Sequence, residues 1–334
     1  MVFLQDYEKL RKIGSGAFAT VWKVRHKDLG YIRAIKVSNE MVEDENDKAY
    51  QTFLKECRVL LKIGNGCHPN IVRIYQPDLI ENKALVEMDY VDGYSLNEYI
   101  QKNGGYLPME EVDRFIRNIV GALAYCHSDI YQFLMNPVED NLTSDPEDAR
   151  RYIIDEKKKQ ELIKKYQVIH NNLHSNNIMR RDYDGSYILL DFGLSIQNNH
   201  AVKSSSRRDG ALEYSAPEKW NNGDITCQTD VYSLGVLLFE VMTGRVPFPM
   251  VMEKYYNEIE CKNALLRCHL EKEPPAIEPL RKKAFEDTHP GEVCTKDYPD
   301  WLEALIMKCL EKEPQNRYLD AKAVIDDYIA KSHY

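Results

Sequence analysis

The apolar run Ile188, Leu189, Leu190 ends on Asp191, and Phe192 and Gly193 follow. A carboxylate at a strand end, with a permissive glycine close by, suits a magnesium ion. Upstream, in "VIHNNLHSNNIM" (Val168 to Met179), Asn177 offers a carbonyl oxygen as a second ligand. The plainer reading is a polar turn after a buried strand. In "YIRAIKVS", Lys36 lies in a strand-like run with Ile35 and Val37 facing the other way. A lysine there needs an anionic partner, and Glu56 on the following helix-like segment can supply one; a solvated strand lysine is the simpler alternative. "IGSGAFATV", Ile13 to Val21, sits between two strand-like runs. Gly14 and Gly16 let the backbone approach a phosphate, with N–H groups turned towards it. Glycine-rich hairpins are also common without one. Glu218 in "EYSAPEKW" and Arg317 in "EKEPQNRYLD" have the types of a packing strut rather than of chemistry.

The elements that must position these residues fall into two blocks. Residues 7 to 38 read as short strands with turns, because "TVWKVRHK" alternates and "YIRAIKVS" is rich in branched apolar residues. "DKAYQTFLKECRVLLKIG" has helical spacing: Ala49, Phe53, Leu54, Cys57, Leu60 and Leu61 share a face, and Gly64 stops it. "NIVRIYQPDLIENKALVEMDYV" returns to strands. Residues 1–91 therefore form a small unit of strands plus one helix. "SLNEYIQKNG", "PMEEVDRFIRNIVGALAYCHS", "TDVYSLGVLLFEVMTG" and "WLEALIMKCLEKEP" read as helices, so residues 92–334 form a larger, mostly helical unit. The break near Asp92–Gly93 is the expected hinge.

The segment 129–167 is polar, charge-dense and longer than an ordinary connection. It reads as a surface insertion with one helix, capped by Ser144 or Asp145, with Pro146 first and Glu147 and Asp148 in the first turn. Tyr152, Ile153, Leu162, Ile163 and Tyr166 make a partial apolar stripe. The segment is either a solvated excursion or an element that docks a partner.

The chain has 334 residues, 43% hydrophobic and 29% charged, as a globular protein does. A net charge of −9 argues against bulk binding to nucleic acid or an anionic membrane. The 8 cysteines form no C-x-x-C pair and no zinc-ligand spacing, which favours free thiols in a reducing compartment. The N-terminus has no signal-peptide pattern and no stretch has 18 uninterrupted apolar residues, so the expected location is cytoplasmic.

The order of the features is more specific than any of them alone. A glycine loop, a strand lysine, a helix glutamate, H-x-N-x-x-x-x-N, D-F-G, A-P-E, D-V-Y-S-L-G and a late arginine occur at fitting intervals. The chain thereby resembles the eukaryotic-type protein kinase family across nearly its whole length. "HPNIV" (His68 to Val72) and "LVEMDYVDG" fit as well. The resemblance implies an α+β, bilobal protein kinase-like fold, with a small N-lobe of antiparallel strands plus one helix and a larger, mostly helical C-lobe. It implies ATP with Mg²⁺ in the cleft and a protein substrate or partner. Nucleotide contacts would come from Gly14, Ser15, Gly16, Val21, Ala34, Lys36, Glu56, Met88 as gatekeeper, Asp89, Val91 and Met179. Lys36 would hold the α- and β-phosphates, Asn177 and Asp191 the metal, and Asp230 would brace the catalytic loop.

The departures in the catalytic loop and before A-P-E all fall on the acceptor side. The family's H-R-D-x-K-x-x-N reads His170, Asn171, Asn172, Leu173, His174, Ser175, Asn176, Asn177 here. Asn171 replaces the arginine that reads activation-loop phosphate. Asn172 replaces the aspartate that takes the substrate proton. His174 replaces the lysine that steadies the transferring phosphoryl group, and stands in for it if protonated. Ala211 replaces the usual threonine, and Ala19 the third glycine. Lys36, Glu56, Asn177 and Asp191 are intact. Loss of a general base removes ~10²–10⁴ in rate, so the catalytic residues Lys36, Asn172 and His174 point to a serine/threonine protein kinase crippled at its base. The alternative is a natural pseudokinase, a nucleotide-binding scaffold or allosteric partner. Intact donor-side residues favour an aspartate replaced in a working enzyme ("HNDLHSNN"); Ala211 and His174 favour a natural exchange. Without the arginine, phosphate at Ser204, Ser205 or Ser206 has no usual reader, although Arg207 and Arg208 are close in sequence.

Overall fold

Alternation along residues 7–38 produces three strands, β1 (Tyr7–Ser15), β2 (Ala19–His26) and β3 (Ile32–Ser38). The computed structural model describes residues 6–16, 19–42, 44, 46–63, 68–129, 156–197, 211–251 and 257–332. With β4 (Ile74–Ile80) and β5 (Lys83–Asp89), these strands form an antiparallel sheet in the order β1-β2-β3-β5-β4. One face buries Tyr7, Val24, Ile35 and Leu85, with Trp22 and Val37 packed beside them. Ile35 and Val37 do face away from Lys36, as their alternation requires.

Helix α1 (Lys48–Lys62) packs near β4 and β5. It buries Phe53, Glu56, Cys57, Val59, Leu60 and the following Ile63, whereas Leu61 is 48% exposed. The buried stripe is thus rotated from the one expected from apolar residues alone. Glu56, a charged residue, lies on that inward face, which apolar spacing does not show.

Beyond β5 come β6 (Gly93–Ser95) and α2 (Leu96–Lys102), which starts on a Ser95–Glu98 capping box. Helix α3 (Met109–Phe115) runs through a π turn (Ile116–Val120) into α4 (Gly121–Ala124) and a second π turn (Tyr125–Asp129). Of the long polar segment, α5 (Glu156–Tyr166) is described, and Tyr166 packs on the main core. The cap expected at 144–148, and Tyr152 and Ile153, lie outside the described residues. So do Ser204, Ser205, Ser206, Arg207 and Arg208.

Short strands then place the loops. β7 (Val168–Ile169) pairs with β10 (Ile196–Gln197), and β8 (Ile178–Arg181) lies between β6 and β9 (Tyr187–Leu189). Helix α6 (Cys227–Thr243) is almost wholly buried, as a central helix is, its polar Asp230 and Glu240 included. Gly244 ends it at φ +74°, and a Cβ there would sit 2.3 Å from Gly105 O. Around it stand α7 (Glu258–Glu271), α8 (Ile277–Thr288), α9 (Asp300–Cys309) and α10 (Ala321–Ser332). Fully buried residues such as Ile119, Leu123, Leu234 and Leu237 contribute about 1.5–3 kcal/mol each. Among the described residues, no helix is long and apolar enough to cross a membrane.

Candidate active site

Three elements bring one lysine and two carboxylates together. Lys36 Nζ on β3 donates to Glu56 Oε1 and Oε2 at 2.8 and 2.7 Å, and to Asp191 Oδ1 at 3.4 Å. Lys36 is therefore not a solvated strand lysine. Its side chain is 17% exposed and that of Glu56 is 11%. Burial opposes the lysine's charge, but Glu56 and then Asp191 outweigh it and hold Lys36 protonated. Burial raises Glu56, against the pull of Lys36. Asp191 is lowered: burial opposes this, while Lys36 and the Gly193 N–H favour the carboxylate.

Asp191 sits at φ +53°, a left-handed turn just after β9 that directs the chain towards Lys36. The Leu190 N–H donates to Asn177 O at 2.8 Å, so the Asp191 and Asn177 loops are joined by main chain. Asn177 donates its Nδ2 to Asn172 O at 2.9 Å, which leaves the amide oxygen for a ligand. Among the described residues, no group of three or more His, Cys, Asp or Glu is gathered for a metal. The donor set of one carboxylate and one amide oxygen still fits magnesium, which keeps waters and phosphate oxygens in its shell.

The glycine loop is a tight hairpin. Gly14 pairs with Val21 and Ser15 with Thr20. The Gly16 N–H closes the turn on Ala19 O at 2.9 Å, so that N–H is not turned outward as expected. Asn39, which the sequence reading missed, fastens the hairpin: Nδ2 donates to Gly16 O at 2.8 Å and Oδ1 accepts from Thr20 Oγ1 at 2.8 Å. Its signal was its place one residue beyond β3. Ala34 pairs with Met88 across β3 and β5, and Val21 pairs with Lys36, so these four share one part of the sheet. The Asp89 side chain accepts from Tyr75 Oη at 2.8 Å. Val91 and Met88 pack on the main core. Met179, on β8, pairs with Ser95 and Ile188.

The loop from His170 to Asn177 hangs on α6. Asp230 Oδ2 accepts the His170 N–H at 2.6 Å, and Oδ1 the Asn171 N–H at 2.7 Å. His127 Nε2 lies 3.0 Å from Oδ2. His170 Nε2 donates to Leu190 O at 2.9 Å while Nδ1 accepts the Asn172 N–H at 3.3 Å, so the ring is neutral; burial keeps its pKa low. Asn171 adopts φ +61°, which asparagine tolerates better than most residues. Its carbonyl accepts from Lys219 Nζ at 3.0 Å. Burial, with a contribution from His170, lowers His174 to about 4. It is uncharged near neutral pH, so the expectation of a protonated stand-in for lysine is not met in this structure.

One further cluster was not anticipated. Tyr214 Oη donates to Glu240 Oε2 at 2.7 Å, and Ser175 Oγ donates to Glu240 Oε1 at 3.2 Å. Burial raises Glu240 to about 7. Arg317 and Glu218 form the expected strut, a bidentate pair at 2.8 and 2.9 Å.

A model of the protein tyrosine and serine/threonine kinase family matches residues 7–324. A probable serine/threonine-protein kinase of Clostridium acetobutylicum is 25% identical over 98% of this chain and 40% of its own length. Serine/threonine-protein kinase PrkC of Bacillus subtilis is 25% identical over 95% and 39%. An Aurora kinase of Candida glabrata is 27% identical over 80% and 61%. The chain thus spans about two fifths of the length of these bacterial relatives.

Proposed function

We propose that this chain, which belongs to the protein tyrosine and serine/threonine kinase family, binds ATP with Mg²⁺ and has a weakened capacity to pass the γ-phosphate to protein serine or threonine hydroxyls. The observation that carries the reading is the Lys36 ammonium between Glu56 and Asp191. It is a fixed positive charge where phosphate charge must be neutralised, and phosphoryl transfer rests mainly on such positioning. Bound magnesium would add Lewis-acid neutralisation of the phosphate oxygens, held by Asp191 and Asn177. Gly14, Ser15, Gly16 and Val21 would cover the phosphates. Ala34, Met88, Asp89, Val91 and Met179 would border the base.

On the acceptor side, the Asn172 amide cannot take a hydroxyl's proton at neutral pH, and its Oδ1 is buried without a hydrogen-bond partner. The preference for serine and threonine rests on the absence of tyrosine-kinase features in the catalytic and activation loops, and accords with relatives that are named serine/threonine-protein kinases. A second reading, a nucleotide-binding scaffold or allosteric partner, is favoured by His174, which brings no cation to the acceptor side.

The test measures γ-phosphate transfer to a generic protein substrate by this chain and by Asn172→Asp, alongside Mg²⁺-ATP affinity. A gain of several hundredfold with unchanged affinity is expected. No gain with nucleotide still bound selects the scaffold, and no nucleotide binding overturns both.

A further inference from the structure

One polar side chain ties the glycine hairpin to the strand that carries Lys36. Asn39 follows directly on the end of β3. Its Nδ2 donates to Gly16 O at 2.8 Å, and its Oδ1 accepts from Thr20 Oγ1 at 2.8 Å. The two bonds hold both arms of the hairpin: Gly16 just after β1, and Thr20 near the start of β2. The β2–β3 ladder stops at the Ala19–Ser38 pair, and β1 has no ladder with β3. Asn39 therefore reaches past β2 to an arm that strand pairing alone leaves unattached to β3.

The residue is itself held from behind. Lys83 Nζ donates to Asn39 O. The neighbouring Ser38 Oγ accepts the Ala84 N–H at 3.0 Å, and the Val42 N–H donates to Asn82 O at 2.7 Å. The chain around Asn39 is thus fastened to the turn between β4 and β5, which gives the side chain a fixed base. Ala19, where the kinase family has its third glycine, is buried and has fewer torsions open to it than glycine. Both features restrain the hairpin.

We propose that Asn39 is a positioning residue for the triphosphate of the nucleotide. Through Gly16 and Thr20 it sets the hairpin relative to Lys36 before ligand arrives. Ordering a loose loop on binding costs affinity, and a loop ordered beforehand avoids that cost. The benefit falls on phosphate-bearing ligands, because the base is bordered by other residues, among them Ala34 and Met88. A side chain that served folding alone would affect adenosine and ATP alike. The inference rests on the reading that this cleft takes ATP.

The experiment measures the affinities of Mg²⁺-ATP and of adenosine, by calorimetry, for the parent, Asn39→Ala, Thr20→Val and the double variant. Adenosine binding reports a folded cleft in each. Asn39→Ala should weaken Mg²⁺-ATP about tenfold and adenosine by less than about twofold. Thr20→Val should give a smaller loss in the same direction. Adding it to Asn39→Ala should cost little more, because its partner is already gone. Unchanged Mg²⁺-ATP affinity in Asn39→Ala overturns the proposal, and so does an equal loss for adenosine. A parent that binds neither ligand overturns the nucleotide reading and this inference with it. A parent that binds both, with no selective loss in the variants, overturns this inference alone.

Discussion

The Asn177 side-chain amide donates to the backbone carbonyl of Asn172 at 2.9 Å. The residue on the metal side is thereby tied to main chain on the acceptor side, not to the side chain at 172. Asn177→Ala removes both the amide oxygen and this bond. It should raise the Mg²⁺ concentration needed for binding of a fluorescent ATP analogue by about tenfold or more. Asn172→Ala should leave that requirement nearly unchanged. Equal shifts in the two variants would show that the side chain at 172 takes part in holding the metal.

Lys36 neutralises two carboxylates in a largely buried setting. Lys36→Met leaves Glu56 and Asp191 with like charges and no cation. A cost of about 3–5 kcal/mol in urea unfolding is expected. Adding Glu56→Gln should recover part of that loss, because the uncompensated charge goes with it. Simple additivity of the two substitutions would contradict this account.

Glu240 carries a pH dependence whose sign is fixed. Burial raises its folded-state pKa to about 7 from an unfolded value of 4.5. The folded state therefore holds the extra proton between these values. Its stabilisation is full below the unfolded pKa and is lost as pH rises through about 7. Glu240→Gln keeps a carbonyl oxygen for Tyr214 and removes the titration. The variant should gain on the parent between pH 5 and pH 8, by up to about 3 kcal/mol, as read by unfolding at each pH. A constant difference across that range would refute the assignment.

Arg317 uses all five of its N–H groups. It bonds Glu218 twice, and the carbonyls of Glu311, Gln228 and Lys312 once each. A lysine has three donors and no planar fork. Arg317→Lys should cost about 2–4 kcal/mol by leaving buried acceptors unpaired. A melting temperature equal to the parent's would show the strut to be dispensable.

The fold and much of the site could be read from residue order, because the family's motifs sit at element ends where few residue types fit. Lys36, Glu56, Asp191, Asp230 and the Glu218–Arg317 strut all have a geometry that follows from their place on a strand, helix or loop. The register of α1 was less legible: apolar spacing cannot show that a glutamate belongs on the buried face. Asn39 and the Ser175–Tyr214–Glu240 cluster were missed because their partners lie 19 to 65 residues away and follow no period. The charge state of His174 depends on burial, which a lone histidine in a string of letters does not disclose.

Asn171 lies at φ +61° between two residues whose N–H groups are both spoken for. The chain must reverse its handedness at that one link for His170 to reach α6 and for Asn172 to reach the His170 ring. Valine, isoleucine or threonine would strain there, whatever their charge. Asparagine takes that torsion at little cost, so the loop keeps its bend without a guanidinium at this position.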